Sequence, residues 1–158
     1  MVWKRRSNMN SMDLDKMLGS SQDRWEVYSL ETDENTVTEF YGLFLTFFAL
    51  HGCSQIIFSY QGKSLEVYVE RSNKRVRIPN KKLYKGFPDL LEIALDRTYS
   101  CRVRELSEGA QGEAFHLVND PITKEPSCVF DSYISRKVIP TGFEYVIDIS
   151  WRDSRGQR

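Results

Sequence analysis

The sequence is short of almost everything that makes chemistry legible. Cysteine occurs three times, at Cys53, Cys101 and Cys128. That odd number at wide spacing excludes the disulfide framework of a small secreted domain. No run of about 18 apolar residues exists; the longest, Leu43 to Leu50, is broken by Thr46. The basic opening Met1-Val-Trp-Lys-Arg-Arg leads into polar residues and not into a signal-peptide core. These features predict a cytoplasmic protein without membrane insertion. Neither sign of charge is in excess, with Lys plus Arg and Asp plus Glu at 22 each, so overall charge selects no partner.

Catalytic signatures are equally scarce. The chain has no Walker-type or dinucleotide-binding glycine loop and no G-x-S-x-G elbow. His51 and Cys53 sit two residues apart, but Cys101, His116 and Cys128 do not supply the close pairs that a structural metal needs. They read as structural residues, and no cofactor or metal is expected. Asp131 and Asp148 fall in strand-like runs, where outward, solvated side chains are expected. An enzyme acting through Cys53 or His116 has no supporting motif.

What is present is patterned. Thr36-Val37-Thr38-Glu39 has the form of a capping box, with Thr36 as the cap. Val37, Phe40, Phe44, Phe47 and His51 follow at helical spacing. Leu43, Leu45, Phe48, Ala49 and Leu50 fill most of the remaining face, which predicts a helix buried nearly all round. Gly52 is placed to stop it. The period then changes from 3.6 to 2. Ile56, Phe58 and Tyr60 alternate up to a turn at Gln61-Gly62. Leu65, Val67 and Val69 alternate up to a turn at Ser72-Asn73, and Val76 with Ile78 forms a third run ended by Pro79. This is a meander of three antiparallel strands.

Gly86-Phe87-Pro88-Asp89 opens a second helix, with Phe87, Leu90, Leu91, Ala94 and Leu95 as its stripe and an end near Arg97. A Gly109-Ala-Gln-Gly112 loop, a run from Ala114 to Val118 and an Asn119-Asp120-Pro121 turn come next. Ser127–Ile139 and Phe143–Trp151 form a long hairpin around Pro140-Thr141-Gly142. The expected class is α+β, with one antiparallel sheet and two or more helices mainly on one face. Residues 1–24 read as a flexible arm, 25–151 as the domain and 152–158 as a flexible tail.

Charge is uneven along the chain. Asp13, Asp15, Asp23, Glu26, Glu31, Asp33, Glu34 and Glu39 face only Lys16 and Arg24 between positions 13 and 39, and read as a solvated acidic edge. Between Arg71 and Lys85, seven of fifteen residues are basic and none is acidic: Arg71, Lys74, Arg75, Arg77, Lys81, Lys82 and Lys85. Arg75 and Arg77 fall opposite Val76 and Ile78 and are expected to project together. Such a ridge suits a protein partner, including a second copy of the chain. It suits a phosphate backbone as the alternative. It is also how an ordinary edge strand is blunted.

One family resemblance joins these elements. Phe47-Phe-Ala-Leu-His-Gly-Cys-Ser-Gln-Ile-Ile-Phe58, Leu65-Glu-Val-Tyr-Val-Glu-Arg-Ser-Asn-Lys-Arg-Val76 and Phe143-Glu-Tyr-Val-Ile-Asp-Ile149 resemble three segments of one domain type. It is the N-terminal PAS-like domain of hexameric pilus-retraction and DotB-like type IV secretion and conjugation ATPases. The resemblance spans about Thr36 to Trp151. It departs from the family where Gln55 replaces the usual Asp, and where Glu144 and Val146 replace the strand arginines that reach a neighbour's nucleotide. No Walker-bearing domain is in the sequence. The resemblance therefore implies a PAS-like, non-catalytic adaptor that binds another protein, with a hexameric secretion ATPase as its candidate partner. Homodimerisation by strand addition and nucleic-acid binding through the ridge stand beside it.

Overall fold

The switch of period after Gly52 is where helix gives way to sheet. A computed structural model describes residues 33–62, 64–78, 86–119 and 126–152. Helix α1 spans Glu34–Leu50. Strands β1 (Gln55–Gln61), β2 (Ser64–Arg71) and β3 (Lys74–Ile78) follow, then helix α2 (Phe87–Tyr99) and a 3₁₀ turn at Val103–Glu105. Strands β4 (Gly112–Asn119), β5 (Pro126–Ile139) and β6 (Gly142–Trp151) complete the order. The acidic run before Asp33, the N-terminal arm, the start of the expected domain at 25–32, residues 153–158 and the Asp120-Pro121 turn lie outside the described residues.

Helix α1 starts earlier than the capping box predicts. Asp33 is the cap, accepting the Thr36 N–H at 2.7 Å on Oδ1. That bond holds its carboxyl below the usual range. Asp and Thr are both good caps, and here the ionised acceptor three residues upstream takes the role, leaving Thr36 inside the first turn. The buried stripe is Val37, Phe40, Tyr41, Phe44, Leu45, Phe48 and Ala49. Leu43 is 52% exposed, so one flank of the helix faces solvent and is not enclosed as expected. Gly52 adopts φ +83 and stops the helix. His51 lays its ring against Phe47 at 4.3 Å, and its Nδ1–H donates to the Phe47 carbonyl at 2.8 Å. A carbonyl can only accept, so this contact fixes the tautomer, and His51 caps a helix end that has no Lys or Arg in its last turn.

The sheet is antiparallel and six-stranded, ordered β3-β2-β1-β6-β5-β4. It is two three-stranded meanders joined along β1 and β6, with Phe58 opposite Tyr145 and Ile56 opposite Ile147. Ser72 and Asn73 both take positive φ, 54° and 62°, the geometry a two-residue hairpin needs. Both helices pack on one face of the sheet. Tyr41 and Phe44 meet Phe58 at 6.1 and 6.2 Å between ring centroids. Phe40 meets Phe87 at 6.1 Å, and the Tyr60 hydroxyl donates to the Pro88 carbonyl. The α+β class with helices on one side of an antiparallel sheet is what the periodicities predicted. No helix among the described residues is long and apolar enough to cross a membrane.

Polar groups thread this core in two places. The Tyr41 and Tyr99 hydroxyls lie 2.6 Å apart. Tyr99 lies 2.8 Å from Ser132 Oγ, and Ser132 lies 2.6 Å from His116 Nε2. A chain in which each hydroxyl donates toward an unprotonated Nε2 satisfies every member, as a buried network must. Glu92, on the buried stripe of α2, accepts from the Tyr145 hydroxyl and from Arg104 Nη2 at 2.6 Å.

Candidate interaction surface

Among the described residues, the basic segment is divided between the two faces of the sheet. Arg71 falls on the same face of β2 as the core residues Leu65, Val67 and Val69 and is 6% exposed; its Nη2 has no hydrogen-bond partner. It lies near Cys53, whose thiol is buried and pushed up to about 12 by desolvation, with Arg71 opposing the shift. Lys74 is exposed at the start of β3. Arg75 and Arg77 project together from the opposite face, as their alternation with Val76 and Ile78 predicts. Both already face acids. Arg75 lies over the Tyr68 ring at 4.4 Å and reaches Glu144 at 3.1 Å, while Arg77 approaches Glu66 at 3.8 Å. Lys81, Lys82 and Lys85 lie outside the described residues.

The two edges of the sheet differ in kind. Among the described residues, β3 pairs only with β2 and β4 only with β5. Edge β3 reads Lys-Arg-Val-Arg-Ile, the charged form that natural sheets use to discourage further pairing. Edge β4 reads Gly-Glu-Ala-Phe-His-Leu-Val-Asn, with no Lys, Arg or Pro. Its large apolar side chains point away from the core: Phe115 is 52% exposed and Leu117 54%.

That inversion has a packing cause. The end of α2 presses on β4, and a Cβ built at Gly112 would lie 3.1 Å from Tyr99 Cβ, 3.0 Å from Ile134 Cγ2 and 3.2 Å from Cys101 Sγ. Only small side chains fit there, so Gly112 and Ala114 face the helix. With a period of two, Phe115 and Leu117 must then face out. Arg152 steadies this patch. Its guanidinium forks onto both oxygens of Asp131 at 3.0 Å and lies 4.8 Å from the Phe115 ring. Asp131 is fully buried, contrary to the solvated position expected for it, because the residue after β6 folds back over it. Asp148 accepts from Gln55 Nε2 at 2.8 Å.

The chemical candidates are enclosed. Ser132 and His116 have the separation of a nucleophile and its base, yet Ser132 is fully buried and shares its hydroxyl with Tyr99. His116 stacks on Phe130 at 4.6 Å, and desolvation lowers its pKa to about 4 against the opposing charge of Asp131. Cys53 is 1% exposed. Among the described residues no three of His, Cys, Asp and Glu gather as a metal site requires.

No family model matches the chain, and no curated protein does. Twelve chains of solved structures match. One is described as the X-ray structure of the Yersinia pseudotuberculosis ATPase DotB, at 17% identity and a TM-score of 0.45. The match covers 77% of this chain and 31% of that one. The likeness is a weak one, at the level of the fold, and it supports no inference about activity.

Proposed function

We propose that this chain is a non-catalytic protein-binding module whose partner adds a strand along β4. The observation that supports this reading is the contrast between the edges: β3 carries Lys74, Arg75 and Arg77, whereas β4 has no Lys, Arg or Pro, a single acid at Glu113, and an open ladder beside Phe115 and Leu117. Strand addition draws affinity from main-chain hydrogen bonds and selectivity from alternate side chains. Phe115 and Leu117 are the alternate side chains on one face. On the face that carries Arg75 and Arg77, Glu66, Glu70, Glu144 and Asp148 weaken the attraction for a phosphate backbone, which favours a protein over a nucleic acid. A secretion-type ATPase is the partner that the sequence resemblance suggests, and a second copy of the chain is the other source of a strand.

The test is a pull-down with the full chain at two salt concentrations, with and without nuclease, beside a measurement of mass in solution. The Phe115→Lys, Leu117→Lys double variant is expected to lose a protein partner that survives nuclease, or to convert a dimer to monomer. The Arg75→Ala, Arg77→Ala variant is expected to keep it. Loss of nuclease-sensitive material in the second variant alone would overturn the reading in favour of nucleic acid.

A further inference from the structure

A groove of about 510 Å³ runs between the 106–111 loop and the outer half of β5. Its volume falls in the range of small-molecule sites, roughly 300–1,000 Å³. Arg136 lines it, with the guanidinium carbon 4.7 Å from the centre of the Phe143 ring. Its Nε is buried without a hydrogen-bond partner, and no carboxylate among the described residues pairs with it. Leaving such a donor unmet is costly. Lys137 borders it through the strand, its side chain alternating to the other face of the sheet opposite Glu144, and Glu108 is the one carboxylate in the lining. Val138, 71% exposed, adds an apolar wall.

The neighbouring groove, about 400 Å³ and lined by Asp89, Glu92, Asp96 and Arg104 among others, makes the contrast. There the guanidinium is already satisfied, because Arg104 donates from Nε and Nη2 to both Glu92 oxygens at 3.1 and 2.6 Å. Four acids, Asp89, Glu92, Asp96 and Glu105, line it against Arg102 and Arg104, which disfavours an anion.

We infer that the groove beside Arg136 is a binding site for a small organic anion, a carboxylate or phosphate monoester carried on a flat apolar body. The anion meets the outer guanidinium nitrogens of Arg136, which, unlike the enclosed Nε, are not buried and hydrogen-bond to no group among the described residues. The apolar body lies along Val138 and the loop. Phe143, stacked on Tyr60 at 5.1 Å with planes 8° apart, holds the guanidinium from behind, so the fork is ordered before a ligand arrives and less freedom is lost on binding. The site is independent of β4, and strand addition there can fail without affecting it.

The test is an amide-resolved NMR titration of the full chain with phenyl phosphate and, separately, phenylacetate. Saturable shifts are expected at residues 106–111 and 135–138, and tighter binding by one probe assigns the class of anion. Arg136→Gln is expected to weaken binding by about tenfold or more, the size of a lost charged hydrogen bond, with Arg136→Lys between it and the native chain. Glu108→Gln, an exposed loop change that leaves the core alone, is expected to tighten binding. Absence of saturable shifts with both probes would overturn the assignment. So would shifts elsewhere, or unchanged affinity in both the Arg136→Gln and Glu108→Gln chains.

Discussion

Tyr99 stands so close to Gly112 that a methyl group on the glycine would lie 3.1 Å from the tyrosine Cβ. This contact decides which face of β4 the solvent sees. Gly112→Ala should therefore destabilise the fold by about 1–3 kcal/mol, the usual cost of overpacking. Gly142→Ala should cost more, because its Cβ would fall 2.0 Å from the Tyr60 carbonyl oxygen, at the seam between β1 and β6. Denaturant midpoints of the two variants check the order; equal midpoints would contradict it.

Arg152 should matter far more than its place after the last strand suggests. Arg152→Ala removes the two hydrogen bonds that Arg152 gives a buried carboxylate, and breaking such a pair costs about 3 kcal/mol or more. Arg152→Lys, which keeps the charge but not the fork, should recover part of that loss. Thermal unfolding of the three chains measures it, and an unchanged midpoint in Arg152→Ala would show that Asp131 needs no guanidinium.

His116 makes stability depend on pH in a stated direction. Its pKa falls from 6.5 to about 4 in the fold, mainly through burial. Above 6.5 the imidazole is neutral in both states. As pH falls from 6.5 toward 4 the unfolded chain takes up a proton that the folded chain refuses, so stability declines through that window and levels off below it. The slope approaches about 1.4 kcal/mol per pH unit at most. NMR titration of the His116 ring should show no protonation until near pH 4. A midpoint near 6.5 would remove the argument.

The Arg75–Glu144 and Arg77–Glu66 pairs should contribute little to stability. Arg75 and Arg77 are about half exposed, and pairs of that kind are worth about 0–1 kcal/mol. Arg75→Ala with Arg77→Ala should thus leave the unfolding midpoint nearly unchanged, which makes the double variant a clean probe of binding. A loss of several kcal/mol would mean that the Tyr68 stack and the Glu144 bridge organise the sheet.

Local signals in the sequence carried the local structure. The alternation of Ile56, Phe58 and Tyr60 and the turns at Gln61-Gly62 and Ser72-Asn73 specify the first meander without reference to the rest of the chain. Residues whose setting depends on distant partners were not legible in the same way. Asp131 and Arg152 are 21 positions apart and meet only because β5 and β6 pair. Phe115 and Leu117 are apolar, yet Gly112 against Tyr99, with His116 and Val118 turned inward, leaves them on the outer face. Arg71 belongs to a basic run by sequence, but strand parity turns it inward. Strand order also fixed which strands are edges, and no periodicity encodes that.

The seam between β1 and β6 sets a schedule. Gln55 pairs with Asp148, and Tyr60 with Phe143, across more than eighty residues of chain, whereas every other strand pairing joins sequence neighbours. During synthesis the first meander emerges with β1 as a raw edge and waits for the last strand to be made. Contacts this distant along a chain are slow to form. The hydrophobic face of β1 is therefore the part of this protein that a chaperone, or an aggregating neighbour, has the longest time to meet.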